Sequence, residues 1–193
     1  KHGSKLVFFS SDYVFDGNSG PYLESDEPNP INKYGEVKLL CEGFVKEIDD
    51  YLIIRTAVVY GFEKDSKNYF MTFSSDLMNN KKKKVPNDQF STPTFVNDLA
   101  SITIELVNKN KNGIYNVTGP DYCSRSAFAL KIADKFDLNK NLIIPVSTKE
   151  LNQAARRPLK AGLINNKIRI ELSVKPLGID EVLNEIKIAY NKF

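Results

Sequence analysis

The sequence predicts an α/β fold in which a doubly wound parallel sheet meets a smaller mixed lobe, and three observations predict it. Leu6-Val7-Phe8-Phe9 is a continuous apolar run stopped by Ser10-Ser11-Asp12, the pattern of a strand buried on both faces. Residues 33–48 then place Val37, Leu40, Cys41, Phe44, Val45 and Ile48 at helical spacing. Tyr51-Leu52-Ile53-Ile54 resumes an unbroken apolar run. Strand, helix, strand in that order is a crossover unit of a parallel sheet, and the chemistry of such sheets gathers at the C-terminal ends of their strands.

Between the first strand and the helix, Gly17, Gly20, Pro21, Pro28 and Pro30 lie among acids and Asn, which makes residues 16–32 a loop, with Asn32 as helix N-cap. The second strand is expected to continue through Arg55 to Tyr60 and to stop at Gly61. Beyond it the spacing predicts helices over Tyr69–Met78 and Phe95–Val107, the latter with Asp98 near its start, and a short strand over Gly113–Val117 closed by Gly119-Pro120. Ser124 opens a helix that runs to Phe136 with Phe128, Ile132 and Phe136 on one face. Leu142–Pro145 reads as extended, Leu151–Gly162 as polar and irregular, and Ile179–Tyr190 as a terminal helix.

Composition narrows the function. The 27 Lys and Arg against 24 Asp and Glu leave a net charge of +3, too balanced for nucleic acid to be the partner. The basic run Lys81-Lys82-Lys83-Lys84 is expected in a solvated loop or helix end. No apolar stretch approaches the roughly 18 residues of a membrane span, and Cys41 and Cys123 stand far apart, so a reducing cytoplasm with two buried, inert thiols is expected. His2 is the only histidine, which leaves Ser-His-Asp catalysis and His-based metal sites without their ligand, so no metal site is expected. Asn116-Val117-Thr118 fits a glycosylation pattern but falls in a strand, where it reads as a chance match.

Chemistry must therefore rest on other acids. Tyr-x-x-x-Lys puts phenol and ammonium on one helical face, where the cation favours the ionised phenol and makes it a usable acid or base. The pattern occurs twice, as Tyr34/Lys38 and Tyr60/Lys64. Tyr60 directly precedes Gly61 at a strand end, where helical geometry is not expected, and reads as accidental. Tyr34 opens the periodic helix that follows a strand ending in the hydroxyls of Ser10 and Ser11. The bland alternative has Tyr34 packing and Lys38 in solvent.

Ser11-Asp12-Tyr13-Val14-Phe15-Asp16-Gly17, Pro21-Tyr22, Pro28-Asn29-Pro30 and Tyr34-Gly35-Glu36-Val37-Lys38 resemble the extended short-chain dehydrogenase/reductase family, and within it the dTDP-4-dehydrorhamnose reductases. The resemblance continues through Leu52–Thr56, Asp88-Gln89, Pro93-Thr94, Asp98-Leu99-Ala100, Gly113–Asn116 and Ala155-Arg156-Arg157-Pro158. It implies that Tyr34 donates a proton to the carbonyl oxygen of a 4-keto sugar nucleotide while NADPH, or alternatively NADH, delivers hydride. It implies that Ser11 hydrogen-bonds the same oxygen and that Lys38 tunes Tyr34 and, with Ser10, meets the cofactor. Asp12 and Tyr13 would line the sugar pocket, although Tyr13 also suits a loop anchor. Arg156 and Arg157 would face the pyrophosphate, with one of the two free for a structural ion pair.

The resemblance also implies a division into residues 1–61, part of a Rossmann-like domain holding the Ser, Tyr, Lys set, and 62–193, a substrate-binding lobe whose residues 94–118 return to the sheet. Three departures stand out: Ser11 where the family commonly has Thr, Val58 where it has Trp, and Phe90-Ser91 in place of a glycine-containing turn. The glycines form no Gly-x-Gly-x-x-Gly, so the chain is expected to be a C-terminal portion that is inactive alone, with the phosphate-cradling turn upstream. A sugar nucleotide is the expected partner, with no nucleic acid and no membrane, and a homodimer is left open. Two alternatives stand beside the reductase: a regulatory subunit like the methionine adenosyltransferase beta subunit, and a sugar-nucleotide epimerase or dehydratase.

Overall fold

The structure is a computed structural model that describes residues 4–63 and 66–190. In chain order it forms β1 (Leu6–Ser11), α1 (Lys33–Lys46), β2 (Tyr51–Thr56), β3 (Val59–Tyr60), α2 (Tyr69–Met78), β4 (Lys83–Pro86), β5 (Phe90–Ser91), β6 (Thr94–Phe95) and α3 (Val96–Asn108). It continues with β7 (Gly113–Asn116), β8 (Cys123–Ser124), α4 (Arg125–Lys135), β9 (Ile143–Val146), α5 (Asn166–Glu171) and α6 (Ile179–Tyr190). β1, β2 and β7 make one parallel sheet in that order, with Ser10 and Ser11 level with Arg55 and Thr56. The α/β class and the parallel sheet expected from the sequence are both present.

β2 is the sheet's centre, paired with β1 on one edge and β7 on the other, and both its faces are covered. Leu52 and Ile54 pack with Leu99, Ile102 and Leu106 of α3, Tyr115 of β7 and Ile168 of α5, while α1 lies against β1 and β2. A second core joins Phe70, Phe73 and Leu77 of α2 to Phe128 and Ile132 of α4, Val182 and Ile186 of α6, and Val85 and Ile143 on the paired strands β4 and β9. α1 is locked to β2 by a fully buried ion pair. Arg55 donates from Nε to Glu42 Oε1 at 2.9 Å and from Nη2 to Glu42 Oε2 at 2.7 Å, the bidentate geometry in which a buried charge pair is fully hydrogen-bonded.

Several expectations need correction. The Leu6–Phe9 strand is not buried on both faces: Leu6 and Phe9 are exposed, and β1 has β2 as its one sheet partner among the described residues. Most of the apolar stripe of α1 likewise faces outward, with Leu40 60% and Phe44 61% exposed beside exposed Val37, and with Ile48 exposed just past the helix, while Val45 alone of the stripe is buried. The face that α1 turns inward is Gly35, Glu42 and Val45.

The strand expected over 51–60 breaks after Thr56. Val58 adopts φ 46°, a left-handed conformation that a β-branched residue takes only under strain, and β3 leaves to pair with β6. Lys83 and Lys84 form part of β4 rather than a loop, and Lys83 pairs with Asp76 at 2.6 Å. Cys41 and Cys123 are half-buried rather than buried, and burial with the nearby Asp121 charge pushes the Cys123 thiol up to about 11. Asn116 is wholly buried and donates to the carbonyls of Tyr22 and Ile164, consistent with a chance glycosylation match. Tyr60 is core, packed edge-on against Phe128 at 4.9 Å, and Lys64 and His2 lie outside the described residues.

Candidate functional site

The site forms where β1 ends. Ser11 closes the strand and caps a short 3-10 turn over Asp12–Val14, its Oγ accepting from Tyr13 N at 3.2 Å. The same hydroxyl donates to Asp12 Oδ1 at 3.1 Å, so its one proton points at the carboxylate and must rotate away before it can serve another acceptor. Ser10, beside it, is buried, and its Oγ has no hydrogen-bond partner among the described residues.

Asp12 is 3% exposed and binds across the molecule. Ser91 Oγ donates to its Oδ2 at 3.0 Å, and Gly162 N approaches the same oxygen at 3.4 Å. Burial raises its pKa, and the donors from Ser91 and Ser11 together with the Arg125 charge act against the rise. Its carboxylate is thereby committed to protein donors, fastening the end of β1 to the segments around Ser91 and Gly162.

α1 brings Tyr34 and Lys38 to this end. Asn32 caps the helix by accepting from Gly35 N at 2.9 Å, and its Nδ2 donates to the Arg156 carbonyl at 2.9 Å, so the cap also fixes the arginine loop. Tyr34 is 53% exposed and meets Tyr13 edge-on at 5.8 Å. Lys38 Nζ donates to the Phe9 carbonyl at 2.8 Å and lies 5.8 Å from the centre of the Tyr34 ring. The bland alternative for Lys38, a lysine loose in solvent, does not describe this geometry.

Ser11, Asp12, Tyr13 and Tyr34 line one cavity of about 280 Å³ together with Val58, Arg125 and Arg157. A neighbouring cavity of about 420 Å³ shares Tyr13, Val58, Arg125 and Arg157 and adds Tyr69, Gln89 and Gln153. The two expected arginines part company here. Arg157 donates to the Tyr13 hydroxyl at 3.3 Å and borders both of these cavities and a third of about 530 Å³, whereas Arg156 is exposed and borders the third alone, with Asp88 and Lys160. Gln89 stands out in the sequence only as part of the Asp88-Gln89 block, and Arg125, Tyr69 and Gln153 do not stand out as site residues. An Arg after Ser at a helix start reads as surface charge, and only the packing of α4 against α2 turns it inward.

The chain matches the model of the RmlD substrate binding domain over residues 1–188. It is 34% identical to the dTDP-4-dehydrorhamnose reductase of Bacillus anthracis, solved in complex with NADP, and superposes at a TM-score of 0.89 over 97% of this chain and 66% of that one. It is 33% identical to the spore coat polysaccharide biosynthesis protein SpsK of Bacillus subtilis, over 95% of this chain and 64% of the relative. Against methionine adenosyltransferase 2 subunit beta of Bos taurus it is 32% identical, over 83% of this chain and 50% of the relative. The chain thus spans about half to two thirds of the length of these relatives.

Proposed function

Because the chain belongs to the RmlD substrate binding domain family, we propose that it carries the catalytic and substrate-binding residues of a nicotinamide-dependent reductase of 4-keto sugar nucleotides, acting in deoxysugar biosynthesis. The observation that carries this reading is the meeting of Ser11, Tyr34, Tyr13 and Arg157 in one cavity wall, with Lys38 beside Tyr34.

In this reading the Tyr34 phenol gives its proton to the carbonyl oxygen as negative charge develops there, a contribution of about 10² to 10⁴ in rate for a positioned acid. The Lys38 ammonium, anchored on the Phe9 carbonyl, stabilises the charge left on the phenol oxygen. Ser11 rotates from Asp12 to donate to the same carbonyl oxygen. Tyr13 walls the sugar, and the Arg157 guanidinium, braced on the Tyr13 hydroxyl, grips the diphosphate. Arg156 borders the third cavity and takes no part in the diphosphate grip.

The residues present fit a nicotinamide cofactor at its reactive end. The orphaned Ser10 hydroxyl, the Tyr34 phenol and the remaining protons of Lys38 are donors beside the end of β1. The glycine-rich turn that would hold the cofactor's phosphates has no counterpart in this sequence. When bound, the reduced nicotinamide supplies hydride to the carbonyl carbon. The NADP found with the Bacillus anthracis reductase supports this cofactor class, and NADPH is our choice over NADH.

The test is turnover of a dTDP-4-keto-6-deoxy sugar by the full-length protein, followed by loss of reduced nicotinamide and by product identity. Reduction of the ketone is the expected result. Failure to turn over, combined with saturable binding to a methionine adenosyltransferase catalytic subunit, would favour the second reading, a regulatory role, which rests on the 32% identity to the beta subunit.

A further inference from the structure

Arg125 sits where a helix start disfavours a cation, and its visible returns to the fold are a charge that favours the Asp12 carboxylate and a stacking contact with Tyr69. It is the first residue of α4, where the helix dipole favours an anion, and the first turn of α4 contains no acidic residue. It takes part in none of the ion pairs among the described residues. Its guanidinium instead lies over the Tyr69 ring, 5.1 Å from the centroid, a stacking contact that fixes where the cation points. That place is the wall shared by the cavities of about 280 and 420 Å³.

No carboxylate lines the larger cavity: beside Val58, Val59 and Pro86 it presents the cations Lys67, Arg125 and Arg157 with Tyr69, and a Gln89 amide that donates to Thr148 and Gln153. Beneath this wall Arg157 Nε and the Tyr69 hydroxyl are buried and have no hydrogen-bond partner among the described residues. Burial pushes the Tyr69 phenol up to about 12, so it keeps its proton and remains a donor. Buried donors without acceptors are rare in folded proteins and imply a missing partner, and this wall asks for a ligand with several anionic oxygens.

Resting on the reading of this pocket as a sugar-nucleotide site, we propose that Arg125 is a specificity-determining residue. Its guanidinium acts with that of Arg157 as a two-sided clamp on the ligand's diphosphate. The pocket then selects nucleoside-diphosphate-linked molecules over nucleosides and free sugars, because only the diphosphate offers enough acceptor oxygens for both forks and the orphaned donors. Arg157 is held by Tyr13 from one side, and Arg125 is held by Tyr69 from the other.

The experiment is calorimetric titration of the intact chain and of its Arg125→Gln and Arg125→Lys variants with dTDP, inorganic pyrophosphate and thymidine. Arg125→Gln should weaken dTDP about 10- to 100-fold, the range for losing charge-assisted hydrogen bonds, and leave thymidine unchanged. Arg125→Lys keeps the charge without the fork and should fall between. Unchanged dTDP affinity in Arg125→Gln, or an equal loss for thymidine in both variants, would overturn the assignment, as would a parent chain that binds neither dTDP nor pyrophosphate. Turnover in the full-length protein separates this claim from the reductase reading. Arg125-dependent dTDP binding without ketone reduction keeps the clamp and removes the reductase. Ketone reduction with an unchanged KM in Arg125→Gln removes the clamp and keeps the reductase.

Discussion

A Cβ on Gly35 would overlap the backbone carbonyl oxygen of Tyr13, so the first turn of α1 rests directly on the segment that follows β1. That approach is what brings Tyr34 to the same cavity as Ser11. Gly35→Ala must push the helix away from Tyr13, because the obstructing atom is backbone and cannot turn aside. The expected cost is about 1–3 kcal/mol of stability in urea denaturation, with a far larger loss of turnover than the stability change explains. Normal turnover in Gly35→Ala would show that the close packing does not set the site.

The buried Arg55–Glu42 pair makes a second prediction. Arg55→Met alone strands the Glu42 carboxylate, and Glu42→Leu alone strands the guanidinium, so each should cost about 3–5 kcal/mol. Arg55→Met combined with Glu42→Leu removes both charges and should recover most of that loss. Urea midpoints of the three variants check this, and additive single losses in the double variant would contradict it.

Asp12 gives a pH dependence whose sign follows from burial. Its pKa in the folded chain is raised from the ordinary 3.8, so the folded state holds the proton more tightly than the unfolded state. The favourable linkage is complete below the unfolded value and is lost as pH rises through the folded one. Across that window the parent should lose stability relative to Asp12→Asn as pH increases. Parallel stability curves for the two proteins would show that the Asp12 pKa is not raised.

Exposed Leu40 and Phe44 on α1, next to an edge of β1 that has no sheet partner among the described residues, predict self-association of the 193-residue chain. Sedimentation should show concentration-dependent oligomers, and Leu40→Glu with Phe44→Lys should reduce them. A parent chain that stays monomeric at every concentration would contradict the prediction.

The sequence made parts of this molecule readable and hid others for physical reasons. The apolar run of β2, the helical spacing of α1 and the Tyr34/Lys38 offset are local patterns, and local patterns survive in one dimension. β3, β5, β6 and β8 are two-residue strands, too short to carry a period, and their pairings join distant segments. Glu42 reads as a solvent-facing charge because its partner Arg55 sits on the next strand. The outward stripe of α1 reads as core because periodicity reports amphipathicity, not which face meets the protein. Arg125 escaped because its meaning comes from Tyr69 on another helix, whereas Arg157 was visible through its adjacent proline block.

The central claim is that Tyr34 is the proton donor, and Tyr34→Phe tests it most directly, since the substitution removes one hydroxyl and keeps the ring against Tyr13. Steady-state turnover and nicotinamide affinity are measured together in the full-length protein. The account predicts that turnover falls by about 10² to 10⁴ while cofactor affinity falls by no more than about tenfold, the cost of one lost hydrogen bond. Near-normal turnover in Tyr34→Phe would contradict it.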